Sequence, residues 1–285
     1  MIDTHAHLNF DQFDQDREEV IRRFFESEGE AIINIGVDLK TSRKSIELAE
    51  KYENIFASVG FHPHYFMEHG THDTEQKLME LKKMAKNEKV VAIGETGLDY
   101  FSHTGKPIAQ RQKENQKKGF LAQIEIAKEL NLPVIVHCRE AWEDLFKIIE
   151  SKSSQGSTFP LSADAPNSSR SNFCKFVLHC YSGDKKITEK FLELPNIYFS
   201  FSGNITYPKP ADRAARIAET VRMIPLERIM LDSDAPFLAP QEQRGKRNEP
   251  SYVKYIAQKI AEIKEISGDE VERVTDKNAI KFFGI

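Results

Sequence analysis

Met1-Ile2-Asp3-Thr4-His5-Ala6-His7-Leu8 opens the chain, and alternation along a strand turns His5 and His7 to the same side. Neutral imidazole is the commonest side-chain ligand of divalent transition metals, and two of them one residue apart on extended backbone converge on one ion without a loop folding around it. A purely structural histidine pair would instead need hydrogen-bond partners for both rings on one buried face. The segment therefore predicts a first strand that carries half of a metal site.

Short β-branched runs recur behind it: Ile32 to Val37, Ile55 to Val59, Val90 to Ile93, Val134 to Val136, Phe176 to Leu178, Tyr198 to Phe201 and Ile229 to Leu231. Between them the period changes to 3.6, as in the stripe of Phe120, Leu121, Ile124, Ala127 and Leu130 and in that of Val253, Ile256, Ile260 and Ile263. Strand and helix alternate throughout. Eight such units predict an α/β fold of the TIM-type (β/α)8 barrel kind, built as a single domain over residues 1–285, a length such barrels commonly reach. An open dinucleotide-binding sheet would want Gly-x-Gly-x-x-Gly after its first strand, and none is present.

The polar residues lie toward the C-terminal ends of these strands. Strand one carries His5 and His7, and strand three runs into Gly60-Phe61-His62-Pro63-His64. Strand four runs into Gly94-Glu95-Thr96-Gly97-Leu98-Asp99-Tyr100, five into His137-Cys138-Arg139, six into His179-Cys180-Tyr181-Ser182-Gly183, and eight into Asp232-Ser233-Asp234-Ala235-Pro236. In a closed barrel those ends share one rim, where barrel enzymes keep their chemistry. His5, His7, Glu95, His137, His179 and Asp234 then supply enough donors for two divalent ions, with Glu95 as the bridge. His5, His7 and Asp234 would complete one ion and His137 with His179 the other. Mg2+ or Mn2+ suits phosphodiester chemistry, while the mixed donor set also admits Zn2+.

Catalysis is expected from Asp234, Glu95 and His62, with Asp234 preferred over Asp232 for orienting or deprotonating the nucleophile. Arg139 and the basic run Arg244-Gly245-Lys246-Arg247 stand just past strands five and eight as candidate phosphate contacts, the glycine excepted. His62 joins them as a substrate contact, whereas His69, His72 and His103 sit in polar, irregular surroundings and read as surface residues.

The composition sets limits. A hydrophobic fraction of 40% and a charged fraction of 29% describe a soluble globular chain with no apolar run of membrane-spanning length. The N-terminus carries ligand chemistry in place of a cleavable leader, so a cytoplasmic location is expected. A net charge of −4 disfavours wrapping nucleic acid over a broad basic surface, so any polyanion must be gripped locally. Cys138, Cys174 and Cys180 form no Cys-x-x-Cys arrangement, which excludes a disulfide scaffold or zinc ribbon. Strand alternation turns Cys138 and Cys180 outward as inert buried thiols, and Cys174 receives no function. Ser153 to Ser171, rich in Ser, Pro and Asn, reads as a flexible insert between the helix after strand five and strand six, on the rim opposite the site.

The motifs together resemble the TatD family of metal-dependent nucleases, within the wider metallohydrolase barrels related to amidohydrolases. Asp3-Thr4-His5-Ala6-His7 is similar to that family's opening motif, Gly94 to Tyr100 to its fourth-strand motif, Pro133 to Arg139 to its fifth and Leu178 to Gly183 to its sixth. Ser200-Phe201-Ser202-Gly203, Ile205-Thr206-Tyr207-Pro208 and Arg244-Gly245-Lys246-Arg247-Asn248-Glu249-Pro250 match further signatures, so the likeness covers nearly the whole chain. The resemblance implies that His5, His7, Glu95, His137, His179 and Asp234 bind metal and that His62 holds the scissile group. It also implies hydrolysis of phosphodiesters, commonly in DNA and sometimes in RNA, from the 3′ end; from the chain's own residues no membrane contact is expected and no obligate protein partner is evident.

Two departures stand out: Asp232-Ser233-Asp234 where the family usually has Glu-Thr-Asp, and the length of the insert. The competing reading keeps the metals and changes the substrate to carboxyl esters, lactones, amides or aminoacyl-tRNA. Members of the wider class often bridge their metals with a modified lysine on strand four, and Glu95 in that place favours phosphoesters. A metal-stabilised binding scaffold without catalysis is the remaining alternative, disfavoured because structural metals are usually closed off by their ligands.

Overall fold

The structure is a computed structural model that describes residues 1–68, 74–102, 105–154 and 174–285. Its eight strands are β1 (Ile2–Ala6), β2 (Ala31–Ile35), β3 (Ile55–Val59), β4 (Val90–Asp99), β5 (Val134–Arg139), β6 (Phe176–Leu178), β7 (Ile197–Phe201) and β8 (Ile229–Leu231). They form one sheet in sequential order with every pairing parallel. A parallel bridge from Ala6 to Ala235 brings the last strand back to the first, so the sheet curls into a nearly closed barrel of the expected type. The helices are α1 (Arg17–Glu26), α2 (Leu39–Lys51), α3 (Pro63–Glu68), α4 (Thr74–Met84), α5 (Gln110–Leu130), α6 (Trp142–Ser154), α7 (Lys185–Leu192), α8 (Ala211–Met223), α9 (Val253–Lys264) and α10 (Gly268–Phe283).

Both helical stripes face the barrel. Phe120, Ile124 and Ala127 on α5, and Val253, Ile256, Ile260 and Ile263 on α9, are buried in the main apolar cluster with strand residues such as Val134, Val136 and Leu231. Each of the larger side chains contributes about 1.5–3 kcal/mol of burial free energy. A second cluster contains Ile33, Ile135, Val177 and Met230, joined by Phe282 and Phe283 of α10. Ile135, Val177 and Met230 lie two residues before His137, His179 and Asp232, so the period of two puts each apolar residue on the same face as the polar one that follows it. Each of those three strands thus packs apolar side chains deeper in the barrel and presents polar ones at its rim.

β4 is longer than its apolar run. Val90 to Ile93 is the apolar run, and the ladder continues past it to Asp99, with Gly97 paired to His137. A Cβ on Gly97, whose φ is +146°, would stand 2.0 Å from the His137 carbonyl oxygen, so this position must be glycine for β4 and β5 to approach so closely. At the other boundary, Ser153 and Ser154 belong to α6, and the remainder of the expected insert lies outside the described residues, as do His69, His72 and His103.

Candidate metal centre

The C-terminal strand ends bring His5, His7, His62, Glu95, His137, His179 and Asp234 to one rim, where all but His5 line a cavity of about 690 Å³. His5 and His7 do share a side of β1: their Nε2 atoms are 3.3 Å apart. Asp234, beyond the end of β8, is set beside them by the backbone, for its N–H donates to the His5 carbonyl at 2.8 Å and the His7 N–H donates to Ala235 at 2.8 Å. The preceding residue fastens that turn, as Ser233 donates through its backbone N–H (2.9 Å) and hydroxyl (2.6 Å) to the two oxygens of the buried Asp3.

Asn248, fully buried within the basic signature, completes the clamp: its amide donates to the carbonyls of Ser233 and Phe237, each at 2.6 Å. That clamp lets Asp234 sit in the left-handed region at φ +53°, a conformation an L-residue rarely adopts without outside support.

Glu95 lies between two sets of imidazoles. Its Oε2 is 3.6 Å from His5 Nε2 and 3.8 Å from His7 Nε2, and Asp234 Oδ1 stands 3.9 and 3.5 Å from the same two nitrogens. Its Oε1 is 2.7 Å from His137 Nδ1, 3.3 Å from His179 Nε2 and 3.8 Å from His62 Nε2. Donors placed ~2.1 Å from a cation in a tetrahedron stand ~3.4 Å from one another, and the separations of His5 and His7 from each other, from Glu95 and from Asp234 run from 3.3 to 3.9 Å.

Two imidazole nitrogens, Nε2 of His5 and of His7, facing two carboxylates make a donor set that fits a divalent ion. His5 Nδ1 and His7 Nδ1 are buried without a hydrogen-bond partner among the described residues. The polar contacts of these rings thus run through Nε2, and stacking steadies them, His5 on His179 at 3.8 Å and His7 on Phe10 at 4.5 Å.

The other imidazoles are oriented by carboxylates that the sequence reading left without this role. Asp232 is fully buried, with Oδ2 3.2 Å from His179 Nδ1, and it accepts from the Cys180 N–H (3.0 Å) and from the hydroxyls of Ser200 (2.6 Å) and Ser202 (2.5 Å). With its oxygens so engaged, Asp232 positions His179 and stays away from the cavity, whose lining includes Asp234 instead. Asp99 Oδ2 lies 3.3 Å from His137 Nε2 and 2.9 Å from His64 Nε2. Asp99 is four residues after Glu95 on β4, an even spacing that could have placed it on the same side, whereas His64 lies in α3, where strand alternation gives no signal.

Burial opposes the Glu95 charge, but the His179 imidazole and hydrogen bonds from His137, His179 and His5 hold the carboxyl well below its ordinary range. Burial also opposes the Asp232 charge, and His179 again overcomes it and lowers the carboxyl. For His62, burial and then His137 push the imidazole down to about 3, so the ring is neutral at neutral pH.

The basic candidates separate. Arg139 borders a second cleft of about 320 Å³ that shares His137, His179 and Asp234 with the first, and its guanidinium lies over Phe101 at 3.4 Å. Arg244 is exposed and rests over the Tyr207 ring at 4.0 Å, and Lys246 donates to Gln243 at 3.0 Å. Arg247 departs from the expectation: it donates to both oxygens of Asp16, at 2.8 and 2.6 Å, and to the Gln12 carbonyl at 2.7 Å, away from the metal cavity. Its guanidinium ties the loop after β8 to the segment before α1.

Cys180 also departs from the expected outward strand position. β6 ends at Leu178, so Cys180 lies past the strand with φ +46°, half-buried, and it lines the second cleft where it receives the Asn204 amide at 3.3 Å. Burial pushes its thiol up to about 12, and that of the buried Cys138 well above the usual range, so both are poor nucleophiles.

Comparison with known proteins bears on the family and the fold. The family described as TatD related DNase matches residues 2–284. The metal-dependent hydrolase YabD of Bacillus subtilis is 39% identical over 285 residues, covering 100% of this chain and 99% of the relative. The 3'-5' ssDNA/RNA exonuclease TatD of Escherichia coli K12 is 30% identical over 289 residues, covering 100% and 99%. Among solved structures, the TatD homologue YjjV of Escherichia coli K12 superposes with a TM-score of 0.82 at 26% identity, covering 100% of this chain and 98% of that one. A TatD family hydrolase of Entamoeba histolytica superposes at 0.77 with 25% identity, covering 99% and 97%.

Proposed function

The chain belongs to the TatD-related DNase family, and from that membership we propose that it is a divalent-metal-dependent phosphodiesterase, a 3′–5′ exonuclease on single-stranded DNA with RNA as a second substrate. The observation that carries the reading is Glu95, whose two oxygens face different groups of imidazoles, the arrangement of a carboxylate shared by two cations. The polarity and substrate are supported by the relative named a 3'-5' ssDNA/RNA exonuclease.

His5, His7, Glu95 and Asp234 would hold one ion, and Glu95, His137 and His179 the other, with Mg2+ or Mn2+ as the working metals and Zn2+ as a further option. When bound, such a pair offsets the charge that develops on the phosphoryl oxygens and acidifies water. Asp234, at the seam of the two cavities, orients the attacking water and takes its proton. His62, held neutral, donates a hydrogen bond to a non-bridging oxygen of the scissile group. Asp99 and Asp232 keep His137 and His179 turned toward Glu95.

Arg139, Arg244 and Lys246 meet neighbouring phosphates, while Arg247 serves the fold. Residues 1–285 act as one domain, and the three unpaired cysteines suit a reducing cytoplasm. Among the described residues no helix is long and apolar enough to cross a membrane.

The test is digestion of 5′-labelled single-stranded DNA in Mg2+ or Mn2+, run beside bis(4-nitrophenyl) phosphate and a panel of carboxyl esters. A ladder shortening from the 3′ end, lost in Asp234→Asn, supports the reading. Strong preference for the carboxyl esters replaces it with the ester, lactone or aminoacyl hydrolase.

A further inference from the structure

The two cavities that meet at the metal centre differ in chemistry, and Phe237 stands at their junction, lining both. Its ring is 45% exposed although most phenylalanines of the barrel are buried. The other exposed large apolar side chains among the described residues, Met79 and Ile280, sit on α4 and α10. Exposure here is not looseness of the backbone. The Phe237 N–H donates to Asp234 at 2.8 Å, and its carbonyl receives the Asn248 amide. Its ring meets Phe10 edge to face at 6.2 Å and His7 at 6.1 Å, while Phe10 lies against the His7 ring. An aromatic wall therefore runs from a metal-ligand histidine out to solvent, and Val37 and Tyr65 also line that cavity. Its size falls in the range of about 300–1,000 Å³ typical of small-molecule pockets.

The second cleft brings in two arginines. Arg139, Arg213, Ser182 and Asn204 line it, and no carboxylate pairs with either arginine among the described residues, in contrast to Arg247. A phosphodiester at the shared residues His137, His179 and Asp234 would have aromatic side chains on one side and, on the other, guanidinium groups without a carboxylate partner among the described residues.

Building on the nuclease reading, we infer that Phe237 is the stacking platform for the unpaired 3′-terminal base, and that Arg139 and Arg213 hold the phosphate on the 5′ side of the scissile one. A π-face accepts any base, so such a platform grips single strands without reading sequence, and removing one base–aromatic stack costs about tenfold or more in binding.

The experiment compares KM for two oligonucleotides that differ only in a normal or an abasic 3′-terminal residue, in wild type, Phe237→Leu and Phe237→Tyr, with bound metal counted in each. Leucine keeps apolar bulk and removes the ring, and tyrosine keeps the ring. The expected abasic-to-normal KM ratio is about ten in wild type and Phe237→Tyr and near one in Phe237→Leu, at equal metal content. A ratio near one in wild type, or one unchanged in Phe237→Leu, overturns the platform while leaving the nuclease intact. Failure of wild type to cleave either oligonucleotide overturns the nuclease reading and this inference with it.

Discussion

Asp232 Oδ2 lies 3.2 Å from Nδ1 of His179, and the opposite nitrogen of that ring lies 3.3 Å from Glu95 Oε1. A carboxylate behind an imidazole fixes which nitrogen carries the proton and which is free for a cation. Asp232 thereby sets which nitrogen of His179 faces Glu95.

Asp232→Asn tests this relationship. Removing the charge behind His179 lowers affinity for one ion by about 10–100-fold, whereas Asp234→Asn puts a neutral oxygen in place of a charged one at the ion itself. Metal titration followed by calorimetry separates the two, and equal, native-like affinity in Asp232→Asn rejects the role.

Glu95→Gln is the sharpest test of the bridge. The substituted amide would offer one neutral carbonyl oxygen in place of two charged ones, so metal content after dialysis should fall at both positions. Elemental analysis checks it, and an unchanged metal-to-protein ratio would falsify the shared-carboxylate arrangement.

Asn248→Ala leaves the carbonyls of Ser233 and Phe237 without their donor. Loss of these bonds in a buried turn costs about 1–3 kcal/mol of stability. Because the same turn carries Asp234, hydrolysis should fall as well. Denaturant unfolding and single-strand digestion on the same sample measure both.

Arg247→Ala should behave as a stability variant, losing about 1 kcal/mol. The hydrogen bond from Arg247 lowers the Asp16 carboxyl below its ordinary range. The linked stabilisation is therefore present above the unfolded value near 4 and is lost as pH falls through the depressed folded value. Wild type should accordingly lose more stability than Arg247→Ala between about pH 5 and pH 2. Parallel acid-unfolding curves for the two proteins would return Arg247 to the list of phosphate contacts, as would a reduced salt dependence of DNA binding in the variant.

Chelation should abolish hydrolysis and lower Tm while leaving the protein folded, because the apolar clusters of the barrel do not depend on the ions. Circular dichroism with and without chelator, followed by readdition of Mn2+, distinguishes this from a fold that collapses without metal.

The sequence by itself determined the barrel and which side chains gather at its rim. Period-two apolar runs, helical stripes and polar residues at strand ends are local patterns, and the physics they report, side-chain alternation and the burial of one helix face, acts over a few residues. His5, His7, Glu95, His137, His179 and Asp234 were legible because each follows or ends such a run. The tertiary structure decided what depends on a partner far along the chain. Arg247 turns to Asp16, Asp232 is enclosed by Ser200, Ser202 and His179, and Cys180 leaves the strand for the second cleft. Gly97 extends β4 because β5 comes within touching distance. Which carboxylate faces the cavity and which stands behind a ligand is set by how segments more than fifty residues apart pack, as with Asp232 and His179, and composition along a strand carries no record of that.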